Sequence, residues 1–425
     1  MNYNDALNYI HSLLRFGIKP GMERISALLE RLGNPQNDLK FVHIGGTNGK
    51  GTVCTMVSEI LQQAGYKTGL FTSPYVVDFR ERIQIDGKMI SEKELAEIVE
   101  NVFKVVEKLK IEELQPTEFE VITAVAMLYF KKMNCDVVVL EVGLGGLLDS
   151  TNIISESLVS VITSVSKDHT KILGDTITEI AQQKCGIIKQ DGYTAIYPLQ
   201  TQEALNVINK TIKEKKNELF LFDTDKLKIE KEDINGSDIV ANGLPLHISL
   251  IGHHQIYNTL TALSTVEALK KRGLNITDDN IQKGVAKANI PARLEKISIS
   301  PLCILDGGHN IQGATALSDT IEKYIGTKVC AVMSMMEDKD YYDSLKLIAP
   351  HCQRLILTTA SNPRAISAER LKELAKKFCK ECVAVENPVE AVDLLIDENQ
   401  GLPMVICGSL YLAGDVRKRL IEKLK

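Results

Sequence analysis

A glycine-rich segment close to residue 45 has the residue types that bind phosphate. It follows an apolar run that begins at Phe41, and it reads His43-Ile44-Gly45-Gly46-Thr47-Asn48-Gly49-Lys50-Gly51-Thr52. The stretch after it, over residues 52–64, has a helical pattern. A strand, a glycine turn and a helix in this order aim backbone N–H groups and a positive helix end at phosphate oxygens. Lys50 can reach the outer phosphates of a nucleotide, and the Thr52 hydroxyl can face Mg²⁺ or phosphate.

This segment predicts an ATP site, although its spacing departs from the general pattern. In that pattern Ser or Thr follows the lysine directly, whereas Gly51 stands between Lys50 and Thr52 here. An ordinary glycine loop is the alternative, and the Gly-Lys pair with its flanking strand and helix favours the phosphate site. The residues expected to contact the nucleotide are Gly46, Thr47, Asn48, Gly49, Lys50, Gly51 and Thr52.

Elements that would position this loop are indicated along most of the chain, because apolar runs alternate with amphipathic segments. Such alternation predicts an α/β fold with a mainly parallel sheet covered by helices on both faces. The strands expected in the first part of the chain are 41–44, 68–71, 137–142, 158–165 and 194–197. The helices expected there are 52–64, 92–109, 118–133 and 176–188.

A second, smaller α/β domain is expected after a break at residues 290–293. We place the boundary so that an N-terminal domain covers 1–290 and a C-terminal domain covers 291–425. The polar stretch 223–245 is expected to form short antiparallel strands on the flank of the first domain, before a long helix over 254–271. A crevice between two α/β domains is a usual ligand site. The strands expected in the second domain are 302–305, 329–333, 355–358 and 404–406.

The composition is that of a globular protein with a full core, since 44% of the 425 residues are hydrophobic and 25% are charged. The 50 basic and 55 acidic side chains leave a net charge of −5, which argues against bulk nucleic-acid binding. No apolar run reaches transmembrane length, and residues 1–9 lack the apolar stretch of a signal peptide. Nine scattered cysteines indicate a reduced compartment, and the Cys379 and Cys382 pair has no second metal-binding pair nearby. We expect a cytoplasmic protein that binds neither nucleic acid nor membrane.

The loop at residues 46–52 resembles the Gly-Thr-Asn-Gly-Lys-Gly-Ser loop of the folylpolyglutamate synthase and dihydrofolate synthase family, a branch of the ATP-dependent Mur-type ligases. The resemblance extends over most of the chain. It implies an N-terminal P-loop domain followed by a smaller C-terminal Rossmann-like domain. It also implies that ATP drives the ligation of L-glutamate to a reduced folate, or to dihydropteroate, through an acyl phosphate. The substrates would be small molecules, and the family tendency is monomeric.

Two metal-binding positions are indicated where apolar strands end. Glu141 lies near the end of the apolar run 138–142, where a carboxylate is either a paired core residue or a Mg²⁺ ligand. The family pattern implies that Glu141 is a Mg²⁺ ligand. It also places Mg²⁺ at His169, in an Asp-His step after the next strand. The family usually continues with Gly-Gly-Arg after the glutamate, whereas Leu147 stands at the arginine position here.

Two further metal contacts are implied by the resemblance alone. The family's Thr-Ser-Pro loop implies a metal contact for Ser73, and its Glu-Lys-Ala-Gly segment implies carbamylation of Lys184 by CO₂. The carbamate would supply an anionic oxygen to a second Mg²⁺ ion, which requires a lysine with a lowered pKa. The alternative is a surface lysine on an amphipathic helix. Gln183 and Cys185 depart from the family's glutamate and alanine in this segment.

Contacts with the acceptor are implied in the segment around Ser73. The resemblance suggests that the aromatic rings of Phe71 and Tyr75 lie near the pteridine of the substrate. It also suggests that Arg82 steers a substrate carboxylate, and a solvated surface arginine is the alternative.

Nucleotide contacts are also implied on both sides of the predicted boundary. A His-Gln-x-x-Asn step implies contacts for Gln255 and Asn258, which lie close on one helical face. Arg293 would neutralise the migrating phosphoryl group, although Ala292 before it replaces a family glycine. Asp306 and His309 would reach ATP from the second domain. The residues expected to act in catalysis are Lys50, His169, Lys184 and Arg293.

Two rival functions fit parts of this pattern. A muramyl-type ligase shares the phosphate loop, but the Asp-Gly-Gly-His-Asn segment at 306–310 and the Gly-Ser-Leu-Tyr-Leu segment at 408–412 favour the folate branch. A paralogue that binds ATP without ligation would fit the departures at Leu147, Gln183 and Ala292.

Overall fold

Alternating apolar and amphipathic segments fold as alternating strands and helices in the computed structural model, which describes residues 1–17, 19–399 and 401–425. The chain divides into two compact units. The segments of the first are Met1–Tyr75, Phe79–Leu227 and Tyr257–Ala288. Those of the second are Val76–Asp78, Lys228–Ile256 and Asn289–Lys425. Within the described residues, no helix combines the length and the apolar character needed to span a membrane.

The strands are numbered in chain order. They are β1 (Phe41–Gly45), β2 (Thr68–Phe71), β3 (Ile83–Ile85), β4 (Lys88–Met89), β5 (Val137–Glu141), β6 (Val159–Ile162), β7 (Tyr193–Ile196), β8 (Glu218–Phe220), β9 (Leu227–Asp233), β10 (Gly236–Ala241), β11 (Leu244–Ile248), β12 (Glu295–Ile299), β13 (Leu302–Leu305), β14 (Val329–Met333), β15 (Cys352–Leu357), β16 (Cys382–Ala384) and β17 (Met404–Cys407).

The α-helices are numbered in the same way. They are α1 (Tyr3–Ser12), α2 (Glu23–Arg31), α3 (Lys50–Gln63), α4 (Glu92–Ile111), α5 (Glu118–Lys132), α6 (Thr170–Leu173), α7 (Ile177–Cys185), α8 (Gln202–Glu214), α9 (His253–Lys271), α10 (Asp278–Lys287), α11 (Ile311–Thr320), α12 (Tyr341–Ile348), α13 (Ala368–Ala375), α14 (Pro388–Asp397) and α15 (Leu410–Leu424).

The first unit is built on an eight-stranded sheet in the order β4-β3-β2-β5-β1-β6-β7-β8. Its strand pairs are parallel, except that β3 pairs antiparallel with both β2 and β4. The carboxyl ends of the parallel strands therefore meet at one edge, where ligands of open α/β sheets bind. This sheet confirms the predicted fold class of the first part of the chain.

The second unit contains two smaller sheets. One has three strands in the order β11-β10-β9, and the other has six in the order β12-β13-β17-β14-β15-β16. In the six-stranded sheet β12 and β13 are antiparallel, and the remaining pairs are parallel. The separate C-terminal α/β sheet is also as predicted.

The observed bounds differ from the predicted ones in two instructive places. The strand expected over 158–165 ends at Ile162, because the residues after it leave the sheet and bond to the loop after β1. The antiparallel strands expected on the flank of the first domain do form, but residues 228–256 group with the second unit. The boundary between residues 290 and 291 stays a prediction.

Local sequence sets where two helices of the first unit begin. The backbone N–H of Thr117 donates to Glu120 Oε2 at 2.7 Å, and the Glu120 N–H donates back to the Thr117 hydroxyl at 3.4 Å. Thr176 and Glu179 form the same reciprocal cap at the start of α7, with distances of 3.0 and 3.2 Å. Each cap satisfies N–H groups that a helix start leaves unpaired. The second cap positions the helix that carries Lys184.

Close packing of α10 against α3 holds the helix that follows the phosphate loop. A Cβ atom at Gly284 would lie 2.6 Å from Ile60 Cα and 2.7 Å from Ile60 N. Those distances are shorter than heavy atoms tolerate, so glycine lets the two helices approach at backbone distance.

Replacing this contact glycine should destabilise the protein. We expect Gly284→Ala to lower the free energy of unfolding by about 1–3 kcal/mol, because the added methyl group forces the helices apart. Urea unfolding of the full chain measures it. Gly51→Ala is the matched control, since a Cβ atom there would meet nothing closer than Glu141 Oε2 at 3.9 Å. Equal unfolding midpoints for Gly284→Ala and the wild type would contradict the packing argument.

Candidate active site

The loop after β1 has the backbone shape of a phosphate cradle. It runs from Gly46 to Gly49, with φ of +148° and +86° at these two glycines. A Cβ atom at Gly46 would lie 1.8 Å from Thr163 Oγ1, and one at Gly49 would lie 2.4 Å from Asn258 Oδ1. Both positions therefore need glycine for conformation and for space. The structure brings the predicted nucleotide residue Asn258 against the loop.

The segment after β6 anchors the loop, and the sequence did not indicate this role. Thr47 N–H donates to the Ser164 carbonyl at 2.7 Å, and the Thr47 hydroxyl donates to the Ser166 carbonyl at 3.0 Å. The Ser164 hydroxyl in turn donates to the Asn48 carbonyl at 3.2 Å. The N–H and the hydroxyl of Thr47 are therefore both engaged in anchoring the loop.

Two lysines converge on one carbonyl of the loop. Lys50 Nζ donates to the Gly46 and Thr47 carbonyls at 3.2 and 3.1 Å, and Lys184 Nζ donates to the Gly46 carbonyl at 2.8 Å. Lys184 is buried, which excludes the surface-lysine alternative. Burial, followed by the charge of Lys50, lowers the pKa of Lys184 to about 7. A large fraction of its amine is therefore uncharged near neutral pH.

Glu141 is a buried carboxylate at the carboxyl end of β5. Its Oε2 accepts a hydrogen bond from Ser73 N–H at 3.0 Å, and the same oxygen lies 3.9 Å from where a Gly51 Cβ would be. The carboxylate therefore lies between the Ser73 segment and the first turn of α3. This places two predicted metal contacts, Glu141 and Ser73, beside the phosphate loop.

His169 lies at an exposed turn before α6. Its φ is +50°, its side chain is 42% exposed, and its Nε2 lies 3.9 Å from Asp168 Oδ1. Among the residues that the structure describes, His, Cys, Asp and Glu side chains form no group of three or more that could hold a metal ion. The structure thus pairs His169 with Asp168.

The predicted acceptor contacts fall into two groups. Phe71 is wholly buried, and its ring lies 5.8 Å from that of Phe119 in the hydrophobic core. Tyr75 is partly exposed, and the Arg82 guanidinium lies 5.2 Å from the centre of its ring. The structure brings Tyr75 and Arg82 together and assigns Phe71 to packing.

The second unit holds its own cluster of predicted residues. Asp306, just after β13, is buried and accepts hydrogen bonds from Leu294 N–H at 3.1 Å and Gly308 N–H at 3.0 Å. Burial raises the pKa of Asp306, and the charge of Arg293 opposes that rise. Burial and then Arg293 lower the pKa of His254 to about 4. Arg293 is thus near both groups.

The remaining predicted nucleotide residues are split between the units. Gln255 is buried in the second unit, whereas Asn258 is buried in the first. His309 Nδ1 lies 3.3 Å from the Gly307 carbonyl, at the turn that precedes α11. Thr52 is buried in the first turns of α3.

A buried polar network joins β1 to the segment after β5. His43 Nε2 lies 2.9 Å from the Thr151 hydroxyl, which donates to Asp149 Oδ1 at 2.5 Å. Asp149 Oδ2 accepts from Leu144 N–H at 2.8 Å and so holds the loop after β5. Burial, and secondarily Lys189, lowers the pKa of His43 to about 3. In the sequence this network is indicated by a histidine inside an apolar strand and by Asp149 and Thr151, which match the family pattern after Glu141.

Comparison with known proteins shows likeness over the whole chain. Residues 44–266 match the Mur ligase middle domain, and residues 292–410 match the Mur ligase, glutamate ligase domain. The chain is 36% identical to the dihydrofolate synthase/folylpolyglutamate synthase of Bacillus subtilis (strain 168), over 98% of this chain and 99% of that protein.

Two solved structures have the same fold. A folylpolyglutamate synthase from Thermotoga maritima is 36% identical with a TM-score of 0.87, and the match covers 100% of this chain and 98% of that one. A Mycobacterium tuberculosis folylpolyglutamate synthase complexed with ADP and AMPPCP is 30% identical with a TM-score of 0.88, and the match covers 99% of both chains.

The buried histidine should make the protein sensitive to acid. Between the ordinary pKa of 6.5 and the folded value of about 3, the unfolded chain binds a proton at His43 that the folded chain does not. Folding stability therefore falls as the pH falls below 6.5, by roughly 2–3 kcal/mol at pH 4.5 for this group. Urea unfolding at pH 7 and pH 4.5 should show a smaller drop for His43→Gln than for the wild type. Equal drops in stability for His43→Gln and the wild type would contradict the assignment of this acid sensitivity to His43. His247→Gln, at an exposed histidine, is the control.

Proposed function

The chain belongs to the folylpolyglutamate synthase and dihydrofolate synthase family of Mur ligases, and from this premise we propose that it joins L-glutamate to a folate with cleavage of ATP. The observation that carries the proposal is the likeness over nearly the full length of both chains. The ADP and AMPPCP complex of the Mycobacterium tuberculosis relative supports ATP as the nucleotide. Dihydropteroate is proposed as a second acceptor, following the double name of the Bacillus subtilis relative.

The proposed reaction has two steps. An oxygen of the acceptor carboxylate attacks the γ-phosphorus of ATP, the bond to ADP breaks, and an acyl phosphate forms. The amine of glutamate then attacks the acyl carbon and expels inorganic phosphate. The first step demands charge neutralisation and alignment more than proton transfer. The Lys50 ammonium, which already lies on the loop, and the backbone N–H groups of residues 48–51 are proposed to supply that charge.

We propose that Mg²⁺ binds beside the loop, at Glu141. The fit rests on Glu141, a buried carboxylate 3.9 Å from the Gly51 Cβ position, because hard cations take oxygen ligands. Ser73 and His169 are proposed as its neighbours in the ligand set, and carbamylated Lys184 as an oxygen donor at a second Mg²⁺ site. When bound, Mg²⁺ would neutralise phosphate charge. The pKa of about 7 supports carbamylation, since only an uncharged amine reacts with CO₂.

The remaining site residues are proposed in the roles that the sequence predicts. In the first unit Asn258 contacts the nucleotide beside Gly49, and Tyr75 with Arg82 contacts the acceptor. In the second unit the nucleotide residues are Gln255, Arg293, Asp306 and His309. We further propose domains 1–290 and 291–425, a cytoplasmic location and a monomeric state.

Glutamate-dependent ADP release tests the function directly. With Mg²⁺-ATP and L-glutamate, we expect turnover with tetrahydrofolate, and dihydropteroate is assayed in parallel to define the acceptor. Lys50→Ala should abolish turnover, because it removes the cation on the phosphate loop, whereas Lys210→Ala at an exposed helix position should not. ATP binding without glutamate-dependent ADP release from either acceptor would instead identify a non-catalytic paralogue.

Lys184 offers a second test that separates chemistry from folding. We expect Lys184→Ala to lose activity and to recover part of it when acetate is added, because a small carboxylate can replace the carbamate oxygen. Lys189→Ala is the control. This nearby lysine donates to the Asn152 and Ile154 carbonyls at 3.2 and 2.6 Å, so acetate should not rescue its loss. An undiminished rate for Lys184→Ala would remove Lys184 from the mechanism.

A further inference from the structure

The turn that carries Arg293 has a strained backbone. It covers residues 291–294 and leads into β12. Ala292 has a φ of +54° and Leu294 has a φ of +45°, values that residues other than glycine rarely adopt. Both residues are buried. Backbone of this kind persists only where the surrounding structure holds it. The direction of Arg293 therefore depends on the groups that fix its two neighbours in the chain.

Glu295 fixes the residue before Arg293. The Ala292 N–H donates to Glu295 Oε2 at 2.9 Å, and the Ala292 carbonyl accepts from Gly307 N–H at 2.7 Å. Glu295 is the first residue of β12, and its side chain is only 8% exposed. The N–H and the carbonyl of Ala292 are thus both engaged within the second unit.

Asp306 fixes the residue after Arg293 in the same way. The Leu294 N–H donates to Asp306 Oδ1 at 3.1 Å, and Asp306 Oδ2 accepts from Gly308 N–H at 3.0 Å. On each side of Arg293, one carboxylate therefore accepts a peptide N–H of the strained turn. These bonds use peptide groups of the turn, and the Arg293 side chain is partly exposed, so an anion can reach its guanidinium.

Arg417 holds Glu295 in turn. Its Nε donates to Glu295 Oε2 at 2.9 Å, and its Nη2 donates to Glu295 Oε1 at 2.7 Å. A guanidinium that binds both oxygens fixes the plane of the carboxylate. Arg417 belongs to α15, 122 positions further along the chain, and its side chain is 23% exposed. A sheltered ion pair thereby links the C-terminal helix to the turn.

The charge of Arg417 matters as well as its geometry. An unpaired Glu295 carboxylate, two residues from Arg293, would compete with a phosphate for the Arg293 guanidinium. The two-point contact with Arg417 compensates that negative charge. Arg293 then keeps its own charge for a ligand.

We propose that Glu295 and Arg417 are positioning residues for Arg293, which act on the ligand only through the turn that they hold. The inference rests on the proposed function, since it takes Arg293 to neutralise the migrating phosphoryl group. It adds a source for the direction of this cation, namely an ion pair between β12 and α15.

Steady-state kinetics of the full chain with Mg²⁺-ATP, L-glutamate and tetrahydrofolate test the proposal. We expect Glu295→Ala to lower kcat by roughly 10- to 100-fold, the cost of a misdirected catalytic group. Arg417→Met should lower kcat by a smaller factor, because Glu295 still accepts from Ala292. The KM for ATP should stay at the wild-type value in both variants, since the charge of the migrating group is neutralised in the transition state.

A double-mutant cycle with Arg293→Ala separates positioning from a role in folding. Arg293→Ala alone should lower kcat by roughly 100- to 1,000-fold, as the loss of a charge-stabilising donor does. Adding Glu295→Ala to Arg293→Ala should lower kcat no further, because no guanidinium is left to direct. A merely structural role would instead multiply the two losses.

A second ion pair of α15 supplies the matched control. Arg419 donates to the two carboxylate oxygens of Asp393 at 2.8 Å each, a geometry like that of Arg417 and Glu295. Asp393→Ala should leave kcat unchanged. Glu295→Gln replaces the alanine variant if that variant does not fold, because its amide oxygen can still accept from Ala292. Its smaller loss of kcat should likewise disappear in the Arg293→Ala background.

Three results would overturn the positioning role. They are a wild-type kcat in Glu295→Ala, losses that multiply in the double variant, and an equal loss of kcat in Asp393→Ala. A wild-type kcat in Arg293→Ala would overturn the role of Arg293 and the positioning role together. Failure of the wild-type chain to release ADP in a glutamate-dependent way would overturn the proposed function instead.

Discussion

The shape of the four-residue connection between β1 and α3 is the constraint on which the site depends. The loop adopts positive φ at Gly46 and Gly49. Its Gly46 carbonyl accepts hydrogen bonds from both Lys50 and Lys184, and its Thr47 carbonyl accepts one from Lys50. The same shape forbids side chains at both glycines, because Thr163 and Asn258 occupy that space. Neighbouring elements are thus fitted to the loop.

The buried ionisable side chains of the first unit are stabilised in two ways. Lys184 and His43 have lowered pKa values, so burial is eased by loss of the proton. Glu141 and Asp149 accept hydrogen bonds from backbone N–H groups, and at Asp149 these bonds oppose the rise in pKa that burial causes. A site with little water around such groups strengthens every interaction with an incoming anion. The arrangement therefore suits a ligand that brings several negative charges.

Much of the fold and of the loop could be predicted from the sequence, because both depend on local patterns. The runs at 68–71, 302–305 and 329–333 are strands with the predicted bounds, since each is a short apolar segment between turns. The helix after Gly49 could be predicted because a glycine-rich turn that ends in Gly-Lys typically precedes a helix. The helix α2, by contrast, is not among the predicted elements, although it is amphipathic and buries Ile25, Leu28 and Leu29 on one face.

The unpredicted parts of the site depend on contacts between residues distant in sequence. Thr47 meets Ser166 across 119 positions, and His43 meets Thr151 across 108. Neither pairing leaves a local pattern. Phe71 in β2 likewise lies next to the ring of Phe119 in α5, which is 48 positions away in the sequence. The antiparallel strands belong to the second unit because of tertiary packing, which strand propensity cannot predict.

The contact between Gly284 and Ile60 reaches further than the stability of two helices. Ile60 belongs to α3, whose first residue is Lys50, so the helix that begins with this proposed nucleotide contact packs against Gly284, a residue outside the proposed site. A larger residue at position 284 would displace α3 and with it the end of the loop. A comparison of related sequences that seeks functional positions by invariance alone would count this glycine among the ligand-binding residues, although its role is to keep a helix in place.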